Sequence, residues 1–379
     1  MQEQPGPAAA GVAAADEAFA GDLYRALAGD GAQTVFSPVS VAAVLRMALC
    51  GAGGQTAAEL AGALHEAPGA AADGLRAVSA AVNDVAAGGS VTLRAPGVAW
   101  VQSGLPLRSA FTSQIGDSVA RAGFAEQPEA ARAEINRVIA EQTEGKITGL
   151  LPAGTIDSAT RLVLTSAIYL KAAWAKPFPE AATKDAPFYP DGPDRPGLTV
   201  PMMRGTAARA YRHADGYQAV VLPYKDGRLA MAVVLPDGPL ATLQAAVAAG
   251  GLPGLLAGTS RYQVTLSMPR FRLEAALNLV PVLRRLGVEQ AFTRQADFSG
   301  ITEAERLLID AVAHKAYVDV DEQGTEAAAA TAVSFRPLAA FRAPTPVTMT
   351  VDRPFLFVII HTPTGLPLFV GQVRHPPSR

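Results

Sequence analysis

The chain has 379 residues, 49% of them hydrophobic and 17% charged, so it is too apolar and too sparsely charged to stay disordered and long enough to bury a large core. Lysine plus arginine number 32 against 34 aspartates and glutamates, a net charge of −2, so no overall basic field exists to draw in nucleic acid or an anionic membrane. The single cysteine, Cys50, excludes both an internal disulfide framework and a cysteine-based structural zinc site.

Residues 1–31 are rich in Ala, Gly and Gln and lack the basic start and unbroken apolar stretch of a secretory leader. A chain from which a leader had been removed would read the same, so the compartment stays open: extracellular in that case, cytoplasmic otherwise. Apolar runs such as Leu162 to Leu170 and Pro354 to Ile360 fall short of the roughly 20 residues of a membrane span, and a soluble protein is expected. Arginine outnumbers lysine and Ala, Gly and Pro abound, the composition of a GC-rich, bacterial coding background.

Helical spacing of apolar residues marks Asp16 to Leu27, Ser40 to Cys50, Thr56 to Leu64 and Ala70 to Ala87. Ser37-Pro38 supplies a capping hydroxyl and a rigid turn, and Thr56 with Glu59 has capping-box spacing. A strand follows at Val91 to Val101, then a helix at Pro128 to Thr143 with Ile135, Val138 and Ile139 inward, then a strand at Arg161 to Leu170. The stretch 187–201 reads as a loop, followed by strands at Ala219 to Leu222 and Leu229 to Leu235, a helix at Leu240 to Ala249 and a second loop at 250–258. Tyr262 to Met268 is a strand, Ala275 to Leu286 a helix, and Val312 to Val320, Val347 to Val351, Phe355 to His361 and Leu368 to Val373 are strands. Helices and strands do not alternate strictly, which predicts an α+β fold in one interlocked domain.

Enzymatic signatures are missing. The sequence has no G-x-S-x-G nucleophile turn and no complete phosphate or dinucleotide loop. Gly51-Ala52-Gly53-Gly54 half resembles one, but leads into a helix start and reads as a turn. His65, His213, His314, His361 and His375 lack metal-ligand spacing, and Asp319 with Asp321 fit a solvated strand face. No catalytic residue, metal or cofactor is expected.

The segment from Glu322 to Leu338 is unusual. Ala327 to Ala330 is good helix material, yet it follows a strand pattern and runs into Pro337, Pro344 and Pro346. Read with period two, Thr325, Ala327, Ala329, Thr331, Val333 and Phe335 share an uncharged face, while Glu326, Ser334 and Arg336 fall on the other. Such a stretch, kept as a loop, is equipped to become a buried strand; an Ala-rich linker or short helix is the plainer alternative.

His314-Lys315-Ala316 before this segment and Asp352-Arg353-Pro354-Phe355-Leu356-Phe357 after it closely resemble the serpin family. Val35-Phe36-Ser37-Pro38-Val39-Ser40, Ile135-Asn136, Thr143-Glu144-Gly145-Lys146-Ile147, Leu162-Val163-Leu164, Val200-Pro201-Met202-Met203, Leu222-Pro223-Tyr224 and Ala296-Asp297-Phe298-Ser299-Gly300-Ile301 follow in serpin order, so the resemblance spans nearly the whole chain. Ser166 stands where the family usually has Asn, Ala172 where it has Gly, and Gln33 where Asn is common.

The resemblance implies a single serpin domain over 1–379, with a five-stranded central sheet, further sheets, about eight or nine helices and an exposed reactive-centre loop at about 322–346. It implies a serine protease inhibitor and no enzyme: the protease cuts the loop, is held as a covalent acyl-enzyme, and the loop enters the central sheet. The implied hinge is Glu322, Gly324, Thr325, Glu326, Ala327, Ala328, Ala329, Ala330 and Thr331. The family's usual spacing, seventeen residues counted from Glu322, implies a cut at Leu338-Ala339, with Phe341 and Arg342 as rivals because the stretch after the bond varies in length among relatives. An apolar Leu338 suits chymotrypsin-, elastase- or subtilisin-like enzymes, whereas Arg342 would suit trypsin-like ones.

Trp174, Arg270 and Glu322 match the family's breach at the top of the sheet, where a surface ion pair is the plainer reading of Arg270 and Glu322. Ser37, Ser40, Ser166 and His314 match its shutter, with a weaker or water-bridged Ser166 to His314 contact expected because Ser is shorter than Asn. The implied partner is a target serine protease; the chain is expected to be a monomer that binds neither nucleic acid nor membrane. In Ala70 to Ala87, where some relatives carry heparin-binding basic residues, Arg76 is the only cation, so heparin activation is not expected. Asn83, Asn136 and Asn278 lack a glycosylation sequon. A serpin-fold binding or chaperone protein with an inert loop is the alternative reading.

Overall fold

The structure, a computed structural model, describes residues 7–28, 32–67, 69–87, 89, 91–214, 216–326 and 346–377. Its helices are α1 (Pro7–Leu27), α2 (Pro38–Cys50), α3 (Gly54–Ala63), α4 (Ala71–Ala87), α5 (Ser109–Ile115), α6 (Pro128–Gln142), α7 (Ala241–Gly254) and α8 (Val280–Arg285). The strands are β1 (Thr34–Phe36), β2 (Val91–Arg94), β3 (Gly97–Gln102), β4 (Val119–Ala122), β5 (Leu162–Ala173), β6 (Lys184–Phe188), β7 (Leu198–Ala214), β8 (Tyr217–Pro223), β9 (Leu229–Pro236), β10 (Ser260–Pro269), β11 (Phe271–Asn278), β12 (Ala311–Val320), β13 (Gly324–Thr325), β14 (Val347–Thr350), β15 (Phe355–His361) and β16 (Pro367–Val373).

The central sheet runs β11-β12-β13-β5-β3-β4, with β2 also on β5. Strands β2 and β3 lie end to end against β5 and are separated only by Ala95-Pro96, where proline interrupts the ladder. The single strand expected from Val91 to Val101 is therefore one strand position in two pieces. Since β13 is a two-residue stub, five full strand positions remain. The second sheet follows β1-β16-β15-β9-β8-β7-β10-β14, with β6 on β7.

Both faces of β5 are covered. Leu164, Ile168, Leu170 and Ala172 join the cores toward α2 and the second sheet, while Val163, Ala167 and Tyr169 pack with Ile135 and Ile139 of α6. Burial on both sides explains why Leu162 to Leu170 reads as a continuous apolar run rather than an alternating one.

Several expected elements change character. Ala275 to Leu286 is not one helix: Phe271 to Asn278 forms β11, and only Val280–Arg285 is helical. Phe271 and Leu273 are buried while Arg272 and Glu274 are exposed, and the strand pairs residue by residue with β12, so the ladder overrides the helix preference of Ala275 and Ala276. The expected loop at 187–201 narrows, because Lys184–Phe188 and Leu198–Ala214 are paired strands. The expected loop at 250–258 begins inside α7, which kinks at Gly251 (φ 67°) and continues to Gly254. Thr56 and Glu59 form no capping box: Gly53 is the N-cap, Thr56 donates to Gln290 at 3.0 Å, and Glu59 accepts the amides of Glu289 and Gln290. Ser37 does cap α2 by accepting from the Ser40 amide.

In α2 the side chain of Arg46 is wholly buried, bonded by Asp16 of α1 at 2.7 Å and by Glu66 at 2.6 Å. Burial lifts the Asp16 carboxyl to about 6 despite the pull of Arg46.

The turn at Gly51 meets the stretch 297–301 at backbone contact. The Gly300 amide donates to Gly51 O, and a Cβ added at Gly300 would lie 2.8 Å from that oxygen. Gly300→Ala is expected to cost about 1–3 kcal/mol through overpacking, read as a lower urea midpoint with native circular dichroism.

Candidate functional site

Where β5 and β12 meet, the central sheet has a seam. The two strands run parallel and pair from Val163–Ala311 to Tyr169–Tyr317. Beyond Tyr169 and Tyr317 they diverge, and β13 fills the gap, antiparallel to both: Thr325 lies opposite Val320 on one side and Ala172 on the other. A tight turn makes this possible. Asp321 Oδ1 accepts the amides of Gln323 and Gly324 at 2.8 and 3.1 Å, and the Asp321 amide donates to Gly324 O. Gly324 must be glycine, since a Cβ there would sit 2.1 Å from Ala172 O.

Thr325 is buried, and its hydroxyl lies 2.7 Å from the phenol oxygen of Tyr224. Tyr224 stacks on Trp174 with ring centroids 4.5 Å apart, and burial pushes its phenol above the ordinary range. Trp174 Nε1 donates to Asp321 O at 3.0 Å, and its amide donates to Gln323 O. Arg270 donates from Nε and a terminal nitrogen to the same oxygen of Glu322, at 2.9 and 2.7 Å, and the Thr183 hydroxyl reaches it too. The Glu322 side chain is only 4% exposed while that of Arg270 is 45% exposed, so the pair joins a covered carboxylate to a guanidinium at the surface. Burial alone would raise the Glu322 carboxyl, but the hydrogen bonds from Arg270 and Thr183 hold it below the usual range. Trp174, Arg270 and Glu322, which the resemblance groups as a breach, thus lie together around this turn. Thr183, Tyr224 and Asp321 belong to the same cluster, though nothing at their own positions singled out a role; Tyr224 was visible only as part of Leu222-Pro223-Tyr224.

Further down the seam, Ser37, Ser40, Ser166 and His314 form one buried hydrogen-bonded group. His314 Nε2 accepts the Ser37 amide at 2.9 Å, which leaves the ring proton on Nδ1 to be donated to Ser166 Oγ at 3.0 Å. Ser166 is the register partner of His314 across the seam, and its shorter side chain still reaches the ring directly. The Ser37 hydroxyl donates to Ser40 Oγ at 2.9 Å. Ala327, Ala328, Ala329, Ala330, Thr331, Leu338, Ala339, Phe341 and Arg342 lie outside the described residues.

Burial lowers His314 from its ordinary value of 6.5 to about 3. The unfolded chain therefore takes up a proton as pH falls below about 6.5, which the folded chain refuses until about 3, so stability is complete above that window and is lost within it. His314→Gln is expected to remove one proton's worth of this loss, up to about 1.4 kcal/mol per pH unit, read from urea unfolding at pH 7 and pH 5. An unchanged pH difference would disprove the neutral, buried imidazole.

Residues 14–376 match the family model described as "Serpin (serine protease inhibitor)". The chain is 35% identical to an uncharacterized serpin-like protein of Thermococcus kodakarensis, over 99% of this chain and 87% of that one. It is also 35% identical to the leukocyte elastase inhibitor of Sus scrofa, over 96% of this chain and 99% of the relative. Among solved structures, Serpin48 of the insect Tenebrio molitor superposes with a TM-score of 0.83 at 27% identity, covering 97% of this chain and 98% of that one. With the family model matching residues 14–376 and relatives 35% identical over 96–99% of its length, the chain belongs to the serpin family of serine protease inhibitors.

Proposed function

We propose that the chain is a single-domain, suicide-substrate inhibitor of serine proteases, with Leu338-Ala339 as the cut bond and chymotrypsin-, elastase- or subtilisin-like enzymes as targets. The observation that carries this reading is the stub β13: two residues of the segment already form ladder pairs between β5 and β12. Extending that register sets Thr331 opposite both Ser166 and His314, since 320 pairs with 325 and 172 with 325. Thr325, Ala327, Ala329, Thr331 and Val333 would then face inward, and the Thr331 hydroxyl would arrive where the bond between His314 and Ser166 must break.

Insertion replaces one ladder with two. Roughly a dozen additional hydrogen bonds at about 1 kcal/mol each, together with side-chain burial, reach the ~5–15 kcal/mol that holds a typical protease folded. A protease tethered through its acyl-enzyme ester can on this scale be distorted before water releases it. The uncut protein is then protected by a barrier and not by equilibrium.

Mixing the protein with a chymotrypsin-like enzyme is expected to give a covalent complex that survives boiling in detergent. Thr325→Arg should leave the loop cleavable but abolish that complex, because an unpaired charge would have to be buried beside Tyr224 at a cost of several kcal/mol. Clean cleavage of the unsubstituted chain without complex would instead favour a non-inhibitory binding protein. Leu338→Arg should move preference toward trypsin-like enzymes; unchanged selectivity would place the cut elsewhere, at Phe341 or Arg342.

A further inference from the structure

Three charged side chains are sealed between α1, α2 and α4. Arg46 of α2 and Asp16 of α1 are buried, and the side chain of Glu66, on the connection from α3 to α4, is 3% exposed. Arg46 Nη2 and Nη1 donate to the two oxygens of Asp16 at 2.7 and 3.4 Å, and Nε donates to Glu66 Oε1 at 2.6 Å. Helix α4 lies directly on the guanidinium, since a Cβ added at Gly74 would sit 2.4 Å from Arg46 Nε. Glu66 Oε2 is buried with no donor among the described residues.

The charges in this site do not balance. A guanidinium supplies one positive charge and two ionised carboxylates supply two negative ones, and an uncompensated charge is costly where water is excluded. Groups on the neighbouring elements do not make up the difference. Arg76 of α4 is exposed and pairs with Asp73, Asp22 of α1 is engaged by Arg25 and His65, and Glu17 reaches toward Gly365. The Cys50 thiol of α2, pushed up to about 11 by burial and then by the charge of Glu66, is neutral. The cluster is therefore one proton short of neutrality, and Glu66 Oε2 is the oxygen that lacks a hydrogen.

We propose that Asp16, Arg46 and Glu66 form a proton-operated latch, which takes up one proton in mild acid and so fastens α1 and the α3–α4 connection to α2. The latch does not depend on the inhibitory reading. Burial above all lifts the Asp16 carboxyl from its ordinary value of 3.8 to about 6, against the pull of Arg46. The folded chain thus keeps a proton that the unfolded chain has already released, so stability is gained as pH falls through about 6 and the gain is complete below about 3.8. His314 acts with the opposite sign, since its burial costs stability below about 6.5. Between about pH 6 and 4 the latch offsets what the seam loses at His314.

The test is urea unfolding of the full chain at about pH 5 and pH 7.5, beside Asp16→Asn and Glu66→Gln, each of which removes one negative charge as the proton does. From pH 5 to pH 7.5 the unsubstituted chain is expected to lose about tenfold in its folding equilibrium constant relative to either variant, the factor that a rise from 3.8 to about 6 gives over this interval. A purely structural role would shift stability alike at both pH values. A ratio that stays constant in either variant, or moves the other way, overturns the latch. If neither variant folds, the assigned carboxyl carbon-13 signals of Asp16 and Glu66 in the unsubstituted chain decide: one of them titrating near pH 6 supports the latch, and neither moving above about pH 5 overturns it.

Discussion

The amides and carbonyls along the facing edges of β5 and β12 must be paired, because both faces of the sheet are covered there and no water can serve them. They pair with each other from Val163–Ala311 to Tyr169–Tyr317, and with Gly324 and Thr325 above that point. Two solutions to one hydrogen-bonding requirement thus coexist in the molecule: strand against strand below, strand against inserted stub above. A sheet can hold both only at the cost of a boundary, and several buried polar side chains, among them Glu322, Thr325, Ser166 and His314, lie along that boundary.

At the top, Asp321 shapes the turn, Trp174 and Tyr224 form its apolar floor, and Arg270 and Thr183 hold Glu322 in place. At the middle, His314 reaches across the seam to Ser166 and back to the start of α2 at Ser37. Over the α6 face, Lys146 pairs with Glu326, the residue after β13. Each contact is modest by itself; in the proposed inhibitory cycle all would have to yield or rearrange for the ladder to advance, which would make the boundary a kinetic device. Its burial also ties it to pH: a neutral imidazole in an apolar setting resists protonation, so acid acts against the folded state at the centre of the seam.

The surrounding fold serves this seam. Helix α2 starts at the seam through Ser37 and Ser40, and is anchored at its far end by the Arg46 cluster and by the backbone contact of Gly51 with Gly300. Helix α6 closes the opposite face with Ile135 and Ile139. Motifs far apart in the chain, such as Ser37-Pro38-Val39-Ser40 and His314-Lys315-Ala316, are therefore parts of one site.

The period-two reading of Thr325 to Phe335 uses only the rule that successive side chains of a strand point to opposite faces, and of that stretch Thr325 and Glu326 are among the described residues. The capping serine of α2, the limits of α2, α3, α4 and α6 to within two residues, and the buried run of β5 were legible from local pattern too, whereas the start of α1 at Pro7 and the whole of α5 were not. The serpin resemblance added the pairing of Arg270 with Glu322 and the grouping of Ser37, Ser166 and His314, relations between distant residues that no local period contains. Only the tertiary structure decided that β11 is a strand despite its alanines, that Thr56 and Glu59 bond to the 289–297 region and not to their own helix, and that Glu326 meets Lys146. The physical reason is common to all three: a hydrogen bond or ion pair between residues distant in sequence depends on where the fold brings the chain, whereas propensity records only what each residue prefers alone.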